Sequence, residues 1–412
     1  MIMPIKKCLK IHWPKLGKRV DIWSALNNIS TDFLNKFYQT RRNRKMKKIL
    51  LSAILMLAII CITSCGKEDI NNPTYEIAIV ADKGEFFDGG FNYSAYEGIK
   101  KYAEKNKKSY TYYQPGNGAD ATDQDRLFSI NQAIENGAKI VILPGASQTN
   151  ALITAAKENP KVKFVLIDGE NLEMENVTSV SYKEEEAGFL AGYAAVMEGY
   201  TKLGGSFGGG GTIAACNRFA YGYVQGANTA AKEKEIVASV KISYQYGSSF
   251  SASEELEKQM SNWYENGTEV VFSCGGSMFQ SVKDACAESK DGRIIGVDTD
   301  RANDSNRVIT SAMKGVADSV EKVLDSFYSG KWDAELAGKC SKIGAKENAI
   351  GFPTNNSSWR FTNFTIEQYN ELFNRISMGA IEIQNQTPAD MNSIAEWNNI
   401  NERLTNIIIE FE

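Results

Sequence analysis

Short runs of aliphatic and β-branched residues recur along this chain, each followed by a stretch with helical spacing, and few folds accept that alternation. In the first half the runs are "EIAIVAD", "SYTYYQP", "KIVILPG", "VKFVLIDG" and "VTSVSY". Between them lie "DRLFSINQAIENG", "TNALITAAKEN" and "FNYSAYEGIKKYAEKN", where Phe91, Ala95, Ile99 and Tyr102 share one helical face. The glycine after "AIEN" suits a helix C-cap. A second series repeats the rhythm, with helix "EEEAGFLAGYAAVMEGY", run "TKLGGSFG", helix "NRFAYGYVQGANTAAKEK" and run "VASVKISYQY". It closes with "SASEELEKQMSNWYENG", "TEVVFSCGG", "SMFQSVKDACAESK" and "RIIGVDTD". Near-continuous Val/Ile runs alternating with helices indicate an α/β chain whose parallel sheets are covered on both faces.

Two such series within 412 residues make two lobes with cores of their own. "RVITSAMK" and "GVADSVEKVLDSFYSG" return the chain across the crevice between them. The expected division is residues 75–185 plus about 304–330 for the first lobe, and 186–303 plus about 331–384 for the second. Residues 385–412 form a tail without a clear pattern. Ligands of open α/β sheets sit beyond the carboxyl ends of the strands, which here places the cleft between the lobes.

The start of the chain belongs to neither lobe. "MKKILLSAILMLAIICITSC" begins at Met46 with two lysines, continues through an uncharged apolar stretch and ends at Cys65. A basic start, an apolar middle and a small-residue cleavage site describe an export signal over residues 46–64. "ITSC" also fits the bacterial lipobox, in which the cysteine carries lipid and becomes the mature N-terminus. The apolar stretch from Ile49 to Ser64 is shorter than the ~20 residues of a membrane-spanning helix. Residues 65–74 then serve as a linker, and residues 1–45 as a spurious extension ahead of a true start at Met46. An exported, lipid-anchored chain of two lobes joined by several crossings resembles the type I periplasmic-binding-protein fold.

Charge and histidine content remove several function classes. Residues 1–48 hold 13 Lys/Arg against Asp21 and Asp32, while the whole chain is at −4, so the exported part lies near −15. That balance argues against nucleic-acid binding, where neutralisation of phosphates by Lys and Arg dominates affinity. The single histidine, His12, lies in the discarded segment, which excludes Ser-His-Asp, Cys-His and His-metal chemistry from the mature protein. Cys216, Cys274, Cys286 and Cys340 show no paired spacing for zinc or redox work and are expected as free thiols, with one disulfide open outside the cytoplasm. "DTDRAND" fails the calcium-loop pattern at Ala302 and Asn303, so neither metal nor cofactor is expected. "KEEEAG" reads as a solvated helix start, where carboxylates favour the positive end of the dipole.

Two glycine-bearing segments border the expected cleft. "GGSFGGGGTIAA" lacks the Lys-Ser/Thr of a phosphate loop and suits a cleft edge where backbone bends or meets a ligand closely. "ADKGEFFDGGFNYSAYEGI" follows the first strand run. It lacks both the P-loop and the dinucleotide fingerprint, and Asp82, Glu85 and Asp88 would repel phosphate. Such a loop suits a neutral, flat, hydrogen-bonding ligand.

This last segment resembles the signature of the basic membrane protein (BMP) family of ABC-transporter substrate-binding lipoproteins, whose best-understood members are purine nucleoside receptors. "SVSYKEEEAGFLAGYAA", "NRFAYGYVQGA", "VVFSCGG", "GVDTD" and "ITSAMK" match in the family's order, over roughly residues 75–380. The resemblance implies that Phe91 and Phe219 sandwich a base while Asn92 bonds its edge. It further implies that Asp82, Asp298, Lys314 and the backbone at Gly275 hold ribose hydroxyls. The residue types agree, since a flat base favours aromatic faces and a diol favours carboxylates plus a donor. Where many relatives carry an acid that contacts the base, the resemblance places Asn150, leaving the preferred base open. The implied protein is a monomer, tethered outside the cytoplasm, that hands a nucleoside to an ABC permease and its ATPase without catalysis. A sensor lipoprotein and a sugar receptor of the same fold remain alternatives. A nucleoside hydrolase is opposed by the spacing of acids in "ADKGEFFD".

Overall fold

The computed structural model describes residues 74–83, 86–236, 239–247, 249–386 and 404–412. The extension, the export signal, Cys65 and the linker up to residue 73 lie outside the described residues, as does Glu85. The rest forms two open sheets. The first takes strands β1 (Ile77–Val80), β2 (Tyr110–Tyr113), β3 (Ile140–Pro144), β4 (Lys163–Ile167) and β5 (Val177–Tyr182), with β11 (Cys340–Ile343), in the order β11-β5-β4-β3-β1-β2. Every pairing in it is parallel. The second contains β6 (Lys202–Phe207), β7 (Val240–Tyr246), β8 (Val270–Cys274), β9 (Arg293–Asp298), β10 (Val308–Lys314), β12 (Ile350–Gly351) and β13 (Ile407–Phe411). Its order is β12-β10-β9-β8-β6-β7-β13, with only the short β12 antiparallel.

The apolar runs become central strands because helices cover both of their faces. All four residues of β1 and all five of β3 are buried. On the first sheet pack α1 (Phe91–Asn106), α2 (Asp123–Glu135), α3 (Thr149–Glu158) and α8 (Val316–Tyr328). In α1 the expected face of Ala95, Ile99 and Tyr102 is buried, while Phe91 is only partly covered. Thr122 and Asp125 close a capping box on α2, and Gly137, at φ +94°, ends it as expected.

The second sheet is flanked by α4 (Glu184–Glu198) and α5 (Ala214–Glu233) on one side and by α6 (Glu254–Glu265) and α7 (Phe279–Glu288) on the other. α4 and α5 approach backbone to backbone. A Cβ on Gly188 would stand 2.0 Å from the Phe219 carbonyl oxygen, and one on Gly222 2.1 Å from that of Glu185. α9 (Ile366–Ser377) adds Tyr369, Leu372 and Ile376 to the same core.

The lobe boundaries differ from the sequence expectation in two places. Residues 304–314, expected with the first lobe, remain in the second, because β10 completes a parallel pairing with β9 before the chain crosses at Gly315. Residues 331–343, expected in the second lobe, stay with the first, where Trp332 and Leu336 join the core and the Cys340–Ile343 backbone pairs with β5 as β11. The tail is partly structured: β13 extends the second sheet beside β7, while residues 387–403 lie outside the described residues.

Candidate functional site

A cavity of about 230 Å³ opens where the carboxyl ends of the two sets of strands face each other. Seven of the eight expected ligand-binding residues line it: Asp82, Phe91, Asn92, Phe219, Gly275, Asp298 and Lys314. Asn150 does not. It is exposed on α3, and its amide donates to Asp123 Oδ2 at 2.9 Å on the outer surface. The residue that this loop does bring to the cavity is Ser147, in the tight turn between β3 and α3.

The first lobe supplies the loop after β1. Asp82 stands at the end of that strand, takes a hydrogen bond from Ser147 Oγ and lies 3.5 Å from the buried Arg126 guanidinium. Only glycine fits opposite it, because a Cβ on Gly145 would come within 2.1 Å of Asp82 Oδ2. Asn92, 4% exposed, accepts from Asp82 N and donates to the Lys83 carbonyl, each at 3.1 Å. Its amide therefore clamps its own loop, leaving one N–H and one lone pair for a ligand.

The second lobe supplies Phe219 from the first turns of α5, Cys274 and Gly275 from the end of β8, and Asp298 from the end of β9. The "GGSFGGGGTIAA" segment divides. Its first four residues belong to β6, three of its later glycines form a tight turn, and only Thr212–Ala215 reach the cavity. The lobes also touch at the mouth: Thr299 Oγ1 donates to the Gly89 carbonyl at 2.6 Å, and Arg301 Nη1 to that of Asp88 at 2.8 Å.

Charge is concentrated on the cavity floor. Lys314 Nζ lies 2.5 Å from Asp168 Oδ2 and 2.9 Å from Glu184 Oε1, and 4.8 Å from the ring centres of Phe91 and Tyr182. Burial works against this ammonium, but Asp168, Glu184 and Asp298 outweigh it and hold the Lys314 pKa above its ordinary value. Burial pushes the Asp168 carboxyl up to about 7 despite the neighbouring Lys314, and it raises Asp298 as well. Asp168 Oδ1 has no hydrogen-bond partner among the described residues. Glu184 also resists burial, because Lys314 and Arg218 keep its carboxyl below the usual range.

The acid run "KEEEAG" is thus not solvated. Glu184, Glu185 and Glu186 are 0%, 3% and 8% exposed: Glu184 pairs with both Lys314 and Arg218, Glu185 lies 3.8 Å from Arg218, and Glu186 accepts from the backbone N–H of Ala345. Sequence reasoning missed Asp168 too. The signal was there, since "VLIDG" ends the fourth run of the first series as "GVDTD" ends the last run of the second.

An aromatic- and carboxylate-lined cleft between two parallel-sheet lobes can bind and enclose a small molecule. Residues 76–387 match the family described as "Bmp: ABC transporter substrate-binding protein PnrA-like". The chain belongs to this family. It is accordingly a substrate-binding protein of ABC transporters and not an enzyme. Among characterised relatives, the ABC transporter nucleoside-binding protein BmpA of Lactococcus lactis is 32% identical over 317 residues, spanning 70% of this chain and 86% of that protein. Basic membrane protein A of Borreliella burgdorferi is 29% identical, over 75% of this chain and 88% of its own. An ABC transporter solute-binding protein from Aeropyrum pernix K1 superposes with a TM-score of 0.66 at 21% identity, covering 80% of this chain and 96% of its own. A second, from Conexibacter woesei, gives 0.61 at 18% identity over 76% and 99%. These structures establish the type I periplasmic-binding-protein fold.

Proposed function

We propose that this protein captures a nucleoside, with a purine as its base, and delivers it to an ABC permease while tethered outside the cytoplasm by lipid on Cys65. One observation carries the reading. Phe91 and Phe219, from opposite lobes, line the same cavity as Asp82, Asp298 and Lys314. Aromatic faces contribute ~1–3 kcal/mol per stacked base. The carboxylates accept from ribose hydroxyls, and the carboxylate-rich wall disfavours a phosphate. The nucleoside-binding relative supports the same ligand class. Among the described residues no helix is long and apolar enough to cross a membrane, and the tether rests on the "ITSC" motif alone.

Calorimetric titration with inosine, guanosine, adenosine and ribose tests the ligand. Micromolar or tighter binding of a purine nucleoside with none of ribose is expected. Ribose binding alone would replace the nucleoside reading with a sugar receptor. For the tether, Cys65→Ala should leave unprocessed precursor that incorporates no labelled fatty acid, and persistent labelling would refute it.

A further inference from the structure

Lys314 is the last residue of β10, one position before the chain crosses between lobes at Gly315. Glu184 opens α4, immediately after the crossing that follows β5. The two crossings are joined by the 2.9 Å ion pair between these side chains. Arg218 Nε lies 2.6 Å from the second oxygen of Glu184, and it directly precedes Phe219 on α5. A chain of alternating charge therefore runs from Asp168 in the first lobe through Lys314 and Glu184 to Arg218 in the second. Its two ends differ. Asp168 and Lys314 line the cavity, whereas Glu184 and Arg218 lie behind it.

We propose that Glu184 and Arg218 are positioning residues for ligand capture, holding the Lys314 ammonium and its partner Asp168 at the cavity floor without touching the ligand. The reasoning is electrostatic. Glu184, with 0% exposure, cannot stay ionised on one cation in a dry interior, and Arg218 supplies the second. Lys314, with 1% of its side chain exposed, likewise has one carboxylate at the cavity and one behind it. Without the rear carboxylate the ammonium would be drawn wholly onto Asp168, and Asp168 would have less capacity to accept from a ligand hydroxyl. The other groups facing Lys314 are Asp298 from β9, Tyr182 from β5 and the rings of Phe91 and Phe219. None of these can replace Glu184 on its far side. The link to capture rests on the nucleoside reading above; the positioning of Lys314 does not.

The test separates the two. Carbon-labelled lysine is followed by NMR in the ligand-free protein from about pH 6 to 11, with the Lys314 signal assigned from Lys314→Arg. In the wild type Lys314 should stay protonated throughout. In Glu184→Gln its midpoint should fall into this range, because losing an opposite charge within ion-pair distance leaves burial working against the ammonium. Inosine affinity should fall roughly tenfold to hundredfold, with a new loss on the alkaline side. If the single variant does not fold, Glu184→Gln/Arg218→Gln removes both charges without orphaning the guanidinium and should show the same titration. Identical Lys314 titrations would overturn the positioning role. An altered titration with unchanged inosine affinity and pH profile would overturn its role in capture. If the wild type binds no nucleoside, that reading fails and the titration still decides the positioning.

Discussion

Asp168 and Asp298 end corresponding strands of the two lobes, β4 and β9, with the same left-handed φ of +63°, and both flank the ammonium of Lys314. For a residue other than glycine this conformation is uncommon, and Asp and Asn tolerate it best. The shared geometry places each carboxylate at the cleft, so that the two lobes present matching acids to one cavity.

The acids make stability depend on pH. The Asp168 pKa is raised by burial to about 7 from an unperturbed value near 3.8. Its contribution to folding is therefore fully present below about pH 4 and is lost as pH rises through about 7. The thermal midpoint of the ligand-free protein should decline between about pH 4 and 7, and Asp168→Asn, which suits the same backbone conformation, should flatten that decline. An unchanged slope in the variant would assign the titration to another group.

The two rings of the proposed sandwich should fail differently. Phe91 is partly exposed at the start of α1, so Phe91→Ala should weaken purine nucleoside binding by ~1–3 kcal/mol and shift the thermal midpoint by only a few degrees. Phe219 is 2% exposed and packs edge-on against Phe272, with ring centres 6.0 Å apart. Phe219→Ala should cost ~3–5 kcal/mol of stability as well as affinity. Paired calorimetry and thermal melts resolve the two effects.

Much of this was legible from periodicity. Buried parallel strands need apolar residues on both faces, so β1, β3, β4, β8 and β9 stood out as continuous runs, and strand ends located Asp82 and Asp298. What remained hidden depended on long-range pairing. No local pattern says that Glu184 is buried, because its partners, Lys314 and Arg218, lie far away in the chain. Asn150 misled for the opposite reason. A shift of three residues in a tight turn, from Ser147 to Asn150, moves a side chain from the cavity to the outer face of a helix.

The α4–α5 contact gives a sharp stability test. A Cβ at Gly188 would have to sit 2.0 Å from the backbone oxygen of Phe219, a clash that no side-chain rotation relieves. Gly188→Ala should therefore force the helices apart, lowering stability by ~1–3 kcal/mol or more and moving Phe219 out of register with Phe91. At Gly210, where a Cβ meets nothing within 4 Å, the steric term is absent and only the φ of +60° opposes alanine. Denaturant melts of the two variants should differ accordingly, with Gly188→Ala clearly the less stable.

The contact at the cavity mouth predicts a kinetic effect. Arg301 reaches across from the second lobe to the Asp88 carbonyl at 2.8 Å, while its guanidinium rests on Phe279 and pairs with Asp304 at 2.7 Å. The bond forms only when the lobes are together, whereas the other two contacts lie within one lobe and persist when they part. Arg301→Ala should therefore weaken the closed state selectively. A charge-assisted hydrogen bond is worth ~1.5–3 kcal/mol, so bound nucleoside should dissociate roughly tenfold to hundredfold faster, with an association rate nearly unchanged. Arg301→Lys retains a donor but not the planar fork, and it should recover only part of the loss. Stopped-flow measurement with a fluorescent nucleoside separates the two rates. A fall in the association rate with unchanged dissociation would mean that Arg301 steers the ligand and does not hold the lobes shut.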